Sequence, residues 1–230
     1  MNQNTASKGK VKRFTKMFIY AHWIYAAAFF LLLLTGLPLF ANSFHWVYAV
    51  FGGPDMTQIF HRIFAVIFVI PPIMLLLFDR KSLFHWLKEV LTWKPKDIKF
   101  FFMFPKEFLV GNPDMPKQGF YNPGEKLNSC MQIVSFFALV FSGLVLWFPE
   151  AFPVSVVQWS NLIHVVAFIM ATTVVIGHIF LSAFHPNSKP SMEGITKGEI
   201  SVDYAKHHHG EWYDELVEKG EVVEEDSKGA

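Results

Sequence analysis

The segment 160–184 reads SNLIHVVAFIMATTVVIGHIFLSAF, and it decides the fold. It contains no Asp, Glu, Lys or Arg, and its 25 residues exceed the roughly 20 that a helix needs to cross a bilayer. In lipid such a segment must be helical, because its backbone polar groups find no partners outside the segment itself. We therefore expect a transmembrane helix with two histidines, His164 and His178, inside it.

Three further apolar stretches have a similar length, and they cover residues 17–41, 58–78 and 127–148. Together the four predict an all-α integral membrane protein, a four-helix bundle over residues 17–184. The first stretch is too long for the apolar region of a signal peptide and has no clear cleavage site, so we expect it to be retained. Pro71 and Pro72 predict a kink in the second helix.

Composition excludes several classes of function. The 230-residue chain has a formal net charge of only +1, so it lacks the basic excess with which proteins bind nucleic acid. Its one cysteine, Cys130, cannot form an intramolecular disulfide or supply a thiolate cluster, and no C-x-x-C-H motif for covalent haem attachment is present.

The basic residues are distributed asymmetrically. Nineteen of the 20 Lys and Arg residues lie before the first span, between the second and third, or after the fourth. The exception is Arg62, just inside the second span. Since cytoplasmic segments carry the excess of positive charge, we expect both termini in the cytoplasm. Trp46, Trp147 and Trp159 then lie near the opposite interface, where aromatic residues are common.

Three segments flank the spans on the predicted cytoplasmic side. They are the N-terminus (1–16), a long connection (79–126) and a polar tail (185–230). Within the connection, residues 82–93 (SLFHWLKEVLTW) predict a short amphipathic helix on the membrane surface. The tail ends in an acidic run, residues 221–226, which predicts disorder at its end.

The membrane histidines form two levels. Adjacent spans run in opposite directions, so His22 and His178 should lie near the cytoplasmic face, and His61 and His164 near the opposite face. Fourteen residues separate His164 from His178, which corresponds to about 21 Å along a helix and about 40° around it. Both therefore point to the same side of the bundle. A single membrane histidine is often a packing residue, but four at matched depths indicate a function.

Two imidazoles facing each other from neighbouring helices suit an iron porphyrin. We therefore predict two b haems, one held by His22 and His178 and the other by His61 and His164. A zinc site or a proton relay is less favoured, because no carboxylate lies deep in any span. Iron with both axial positions filled favours electron transfer over oxygen chemistry.

The remaining candidates for contact with a cofactor or the surface are Arg62 and six further histidines. Arg62 could pair with a haem propionate or extend its charge to the interface. We expect solvated surface side chains at His45, His85 and His185, and a surface cluster at 207–209 (HHH).

Several short motifs resemble the cytochrome b (gamma) subunits of membrane-bound formate dehydrogenases. The resemblance extends from Phe14 to Tyr213. Related hydrogenase and thiosulfate reductase cytochromes share the general plan, whereas the YNPGEK and HHHGEWY motifs narrow the resemblance to the formate type. The motifs are AHW (21–23), FGGPDMTQIFH (51–61), YNPGEK (121–126), NLIH (161–164), GH (177–178) and HHHGEWY (207–213).

The resemblance implies a place in a complex. A molybdenum- or tungsten-containing catalytic subunit would oxidise formate, and an iron–sulfur subunit would deliver the electrons to this chain, which reduces menaquinone and does not bind formate. It also implies that Asn122, Gly124 and His178 line the quinone site. Pro123 and Glu125 depart from the family pattern in that loop. Glu125 and Lys126 could supply protons to the quinone or form an ion pair.

Two other functions stay open at this stage. The first is the same chemistry in a hydrogenase or thiosulfate reductase complex. The second is a haem-free membrane anchor whose histidines only pack.

Overall fold

The computed structural model describes residues 9–110, 115–186 and 188–222, which divide into two compact units. The bundle unit comprises Lys16–Leu83 and Cys130–His178. The terminal unit contains the chain before residue 16, the segment Phe84–Ser129 and the chain after residue 178. The acidic run predicted to be disordered, residues 221–226, lies mostly outside the described residues.

Four long helices dominate the fold, as predicted. They are α1 (Lys16–Phe40), α3 (Pro54–Phe78), α6 (Pro123–Trp147) and α7 (Val154–Ile179), and a short helix, α2 (Trp46–Phe51), precedes α3. Each long helix has 25 or 26 residues and is apolar enough to span a membrane. At 1.5 Å per residue such a helix is longer than the roughly 30 Å hydrocarbon core. The chain is therefore a multi-pass membrane protein.

The ends of the helices differ from the predicted spans in physically simple ways. Helices α3 and α6 begin four residues earlier than predicted, each with a proline in the first turn, where its missing N–H is no loss. Helix α7 ends at Ile179 and continues as a π-helical turn, Phe180–Phe184. Helix α3 continues through Pro71 and Pro72, and the predicted kink stays a prediction.

The connection between the second and third spans contains two helices. The first, α4 (Arg80–Leu91), confirms the amphipathic helix predicted over residues 82–93. The second, α5 (Pro95–Val110), was not predicted, because its run of consecutive aromatic residues shows no alternation of polar and apolar faces at helical spacing.

The C-terminal tail is folded through residue 222, whereas the sequence suggested only a polar extension. It forms α8 (Met192–Lys197), α9 (Val202–His208) and α10 (Gly210–Glu218). Its strand β2 (Glu199–Ser201) pairs antiparallel with β1 (Lys10–Lys12) from the N-terminus. Ile200, Tyr204, Trp212 and Leu216 form a small hydrophobic core with Val11. This minimal sheet is the one departure from an all-α fold among the described residues.

Candidate functional site

The first histidine pair of the bundle unit consists of His22 in α1 and His178 at the end of α7. Their ring centres lie 6.3 Å apart with the planes at 62°. A bond between a metal and an imidazole nitrogen is about 2 Å long, and the ring centre lies about 1 Å behind that nitrogen. Two imidazoles on opposite sides of one iron therefore have centres about 6 Å apart. The spacing of His22 and His178 fits this arrangement.

His22 also carries a buried polar atom that needs explanation. Its Nδ1 is buried and has no hydrogen-bond partner among the described residues. The ring of Trp23 meets the ring of His22 edge to face at 5.1 Å. A buried polar atom without a partner is costly, so a group other than the described residues is expected to contact Nδ1 of His22.

The second pair consists of His61 in α3 and His164 in α7. Each Nδ1 contacts a buried hydroxyl of the neighbouring helix. The distance is 2.8 Å from His61 to Thr35 Oγ1 and 2.9 Å from His164 to Ser142 Oγ. With Nδ1 engaged, the Nε2 atom of each ring is the one left for a metal.

An apolar layer separates the two pairs. Its buried members are Ala28, Phe29, Phe68 and Ala171, and Ala171 lies seven residues from each histidine of α7. The ring of Phe68 stacks on Tyr25 at 4.4 Å and packs against Phe136 at 5.4 Å. The layer keeps the two histidine levels apart and excludes water between them.

The remaining bundle residue predicted to contact a cofactor is Arg62. Its guanidinium carbon lies 5.4 Å from the centre of the Trp147 ring, which is a cation–π contact. This contact anchors the side chain between α3 and α6. Pairing of Arg62 with a haem propionate stays a prediction.

The motif YNPGEK forms the start of α6 in the terminal unit. Asn122 Oδ1 accepts a hydrogen bond from the Glu125 backbone N–H, and Glu125 accepts one from the Asn122 N–H, both at 2.9 Å. This reciprocal pair is a capping box, with Pro123 at the first helical position. Gly124 lies in the same turn, where an added Cβ would be 3.1 Å from Asn122 Oδ1. Asn122 and Gly124 therefore have a structural role in this loop, and a quinone contact stays a prediction.

Glu125 and Lys126 pair with different partners. Glu125 lies 3.1 Å from Arg13, and Lys126 lies 3.0 Å from Asp97. Asp97 repeats the arrangement at the start of α5, where its carboxylate accepts from the backbone N–H of Lys94 at 2.9 Å. Two helix starts are thus linked by a buried lysine, a connection that the sequence did not reveal.

Two of the predicted surface histidines are buried instead. The ring of His185 stacks on Phe108 at 4.9 Å. His209 is fully buried, and its Nδ1 donates to the Gly119 carbonyl at 2.9 Å. Burial lowers the pKa of His209 to about 3, so this side chain is neutral. The surface prediction was wrong for these two because His185 packs against α5 and His209 packs against Trp212 and Gly119. His208 is half-buried, whereas His45, His85 and His207 are exposed.

Four residues of these sites were not predicted from the sequence: Thr35, Ser142, Arg13 and His209. A signal existed for the first two, since both are hydroxyl residues followed by glycine in otherwise apolar spans. Arg13 and His209 gave no such signal, because their partners lie far along the chain.

A multi-pass helical bundle with histidines at two levels, where His22 and His178 face each other at 6.3 Å, is typical of a class of membrane haem proteins. The family model described as prokaryotic cytochrome b561 matches residues 13–198, and the chain belongs to this family. Membership implies binding of haem b and a role in electron transport.

Formate dehydrogenase subunits are among the relatives of the chain. The nitrate-inducible cytochrome b556(Fdn) subunit of Escherichia coli strain K12 is 31% identical over 97% of this chain and 99% of its own. The cytochrome b556 subunit of Haemophilus influenzae formate dehydrogenase is 27% identical, over 86% and 79%. The cytochrome b556(fdo) subunit of Escherichia coli strain K12 is 25% identical, over 85% and 88%.

Proposed function

We propose that this chain is the electron-transfer subunit of a respiratory formate dehydrogenase and holds two b haems. His22 and His178 ligate one haem, and His61 and His164 ligate the other. The observation that carries the proposal is the 6.3 Å separation of the His22 and His178 rings, which matches two imidazoles on one iron. Two bound haems supply reversible one-electron chemistry at two depths, which connects an iron–sulfur partner on one side with menaquinone on the other.

The protein's own residues provide orientation and a dry environment. The hydroxyls of Thr35 and Ser142 fix the rings of the second pair, and the apolar layer around Phe68 excludes water between the levels. No Asp or Glu lies deep in a span, so the path carries electrons without a carboxylate relay for protons. Arg62 remains the candidate to pair with a haem propionate.

Quinone reduction would take place near the loop that begins α6, with Asn122, Gly124 and His178 as contacts. The capping box and the Arg13–Glu125 ion pair support this assignment, since both hold the loop in one conformation. A rigid loop favours binding of a flat ring with little loss of conformational entropy. The charged side chains beside it are already paired, so proton delivery would require one of those pairs to open.

The proposal includes location and partners. The chain lies in the bacterial cytoplasmic (inner) membrane with both termini in the cytoplasm, as its basic residues indicate. An iron–sulfur (beta) subunit and a molybdenum- or tungsten-containing catalytic (alpha) subunit complete the complex on the other side. A fluorescent protein that folds only in the cytoplasm, fused after residue 230, should then fluoresce.

Haem content tests the proposal. The full-length chain, purified from membranes in mild detergent, should show a b-type spectrum on dithionite reduction and two haems per chain. His22→Ala and His178→Ala should each lower the ratio to one and abolish quinone reduction. His45→Ala is the matched control, since His45 is exposed and outside both pairs. A colourless protein, or two haems in His22→Ala, would refute the proposed ligand set.

The identity of the partner is a separate question, which co-purification answers. We expect an iron–sulfur subunit and a formate-oxidising subunit to remain bound in mild detergent, with formate-dependent quinone reduction. If hydrogenase or thiosulfate reductase subunits co-purify in their place, the proposed haem chemistry stands and the proposed formate dehydrogenase partners are wrong.

A further inference from the structure

Two buried hydroxyls support the second histidine pair in the same manner. Thr35 is 1% exposed and Ser142 is 4% exposed, although both lie in apolar helices. Each belongs to the membrane-spanning helix preceding the one that carries its histidine: Thr35 in α1 contacts His61 in α3, and Ser142 in α6 contacts His164 in α7. The arrangement therefore occurs twice, once in each pair of consecutive spans.

The direction of these hydrogen bonds follows from the other partners of the hydroxyls. Thr35 Oγ1 donates its hydrogen to the Leu31 carbonyl at 2.7 Å, and Ser142 Oγ donates to the Ala138 carbonyl one turn earlier. A hydroxyl has only one hydrogen to donate, so its lone pairs face the imidazole. The Nδ1–H of each histidine therefore donates to the hydroxyl oxygen, and His164 has a further hydrogen bond with the backbone of Leu139. Each ring is thereby held as the tautomer whose Nε2 carries the free lone pair.

A glycine follows each hydroxyl residue, and at position 143 the missing side chain lets the helix approach the ring more closely than an ordinary Cβ contact allows. A Cβ added to Gly36 would lie 3.5 Å from Cε1 of His61, and one added to Gly143 would lie 3.3 Å from Cε1 of His164. The Cε1 atom lies between the two ring nitrogens. The hydroxyl and the glycine backbone thus fix both the rotation and the position of each imidazole.

We propose that Thr35 and Ser142 are positioning residues that fix the tautomer and orientation of His61 and His164 and tune the reduction potential of the iron they share. This inference rests on the proposed haem function and adds the means by which one of the two sites is set. A hydrogen bond accepted from Nδ1–H makes the imidazole a better electron donor and so stabilises ferric iron. The hydroxyls therefore lower the potential of that haem.

The first pair provides an internal reference. Nδ1 of His22 has no hydrogen-bond partner among the described residues, so neither the Thr35 nor the Ser142 hydroxyl bonds it. His22 and His178 lie on the other side of the apolar layer from Thr35. Thirteen residues separate His22 from Thr35 in α1, which corresponds to about 20 Å along the helix. One haem should respond to the substitutions and the other should not.

A redox titration of the purified full-length chain tests the inference, with the two haems followed as two one-electron components. Thr35→Val and Ser142→Ala should raise the potential of the same component and leave the other unchanged. If the preference of the site for ferric over ferrous haem falls tenfold, the reduction potential rises by about 59 mV for a one-electron couple. We expect an upward shift of up to this size. Thr35→Ser, which keeps the hydroxyl, should restore the original potential.

Thr173→Val is the matched control, because within the described ranges the Thr173 hydroxyl bonds only its own helix, at the Ile169 carbonyl. It should leave both potentials unchanged. Loss of one haem in Thr35→Val and its retention in Thr35→Ser would also support the inference. Two haems with unchanged potentials in both variants, or equal shifts of both components, would overturn it. A wild-type chain without haem would instead refute the proposed function on which it rests.

Discussion

The guanidinium of Arg13 lies 3.1 Å from the carboxylate of Glu125, which is 112 residues further along the chain, and it donates to the Phe120 carbonyl at 2.8 Å. The side chain of Arg13 is only 1% exposed. Glu125 also closes the capping box with Asn122. One carboxylate thus joins the N-terminal strand segment to the loop that begins α6.

Removal of this carboxylate should loosen the loop. In Glu125→Ala the buried Arg13 loses its counter-charge, and the cost should lie below that of breaking a fully buried pair, because the Glu125 side chain is 31% exposed. Glu125→Gln should cost less, because its amide oxygen can still accept from Arg13 and from the Asn122 N–H. Hydrogen exchange of residues 119–126, measured by mass spectrometry, should show a larger loss of protection in Glu125→Ala than in Glu125→Gln.

Lys10→Gln is the control for that series, since Lys10 pairs with Glu193 and Glu199 at the surface. An exposed ion pair contributes little to stability, so exchange at residues 119–126 should not change. Equal exchange in Glu125→Ala and Lys10→Gln would contradict the structural role of the pair.

The Lys126–Asp97 pair should show the signature of a buried ion pair. Lys126 also donates to the Thr92 carbonyl at 2.9 Å, and Asp97 is 1% exposed. Lys126→Met leaves the Asp97 carboxylate buried without its cation, which costs about 3–5 kcal/mol. The double variant Lys126→Met with Asp97→Asn should recover much of this loss, because the amide needs no counter-charge.

Thermal denaturation of the detergent-solubilised chain measures both variants. The double variant should melt at a higher temperature than Lys126→Met alone. If the double variant melts lower, or if the two losses simply add, the two side chains do not act as a pair.

The terminal unit should be pH-sensitive through His209. Its pKa falls from an ordinary 6.5 to about 3 because of burial, so the unfolded chain binds a proton at a higher pH than the folded chain does. The contribution to stability is complete above pH 6.5 and is lost as the pH falls toward 3, with a limiting slope of about 1.4 kcal/mol per pH unit.

Hydrogen exchange of α9 and α10 at pH 7 and pH 5 measures this effect after correction for the intrinsic exchange rates. Protection should decrease at pH 5. His209→Gln keeps a donor for the Gly119 carbonyl and cannot titrate, so its protection should change less between the two pH values. The same pH dependence in both proteins would assign the effect to another group.

The sequence predicted the elements whose signal is local. Span length and composition identified the four long helices, and the alternating direction of the spans was enough to pair His22 with His178, whose rings lie 6.3 Å apart. The prediction of the helices succeeds because an apolar segment in lipid satisfies its own backbone polar groups as a helix, so that length and apolarity suffice. That His22 and His178 ligate a haem stays a prediction.

The terminal unit could not be predicted in the same way. Its strands are three residues long, and its small core joins Val11 to Trp212 across almost the whole chain. Arg13 and His209 have no local pattern that reveals their burial. Their neutral or paired state depends on tertiary contacts, and a polar tail sequence does not show these.

The capping box is an intermediate case, because its signal was present in the motif YNPGEK. An Asn followed by Pro and, three residues after the Asn, by Glu is typical of a helix start. The family resemblance points to Asn122 and Gly124 as quinone contacts and does not reveal this structural role. A motif of this kind can serve both purposes.

The two glycines beside the second histidine pair should respond differently to a methyl group. An alanine Cβ at position 143 would lie 3.3 Å from Cε1 of His164, which is closer than most Cβ contacts, so the ring has to move. At position 36 the distance to Cε1 of His61 is 3.5 Å, an ordinary contact. Gly143→Ala should therefore disturb the Ser142–His164 hydrogen bond, whereas Gly36→Ala should be tolerated.

If the proposed function is correct, the two alanine variants should differ in how they bind the haem held by His61 and His164. Gly143→Ala should weaken haem binding there about tenfold, a loss typical of a disturbed ligand support, and should change the reduction potential of that component. Gly36→Ala should retain two haems per chain. Both substitutions raise helix propensity equally, so a general effect on helix stability would appear in both variants. If Gly36→Ala loses haem and Gly143→Ala does not, the close approach of α6 to His164 has no functional role.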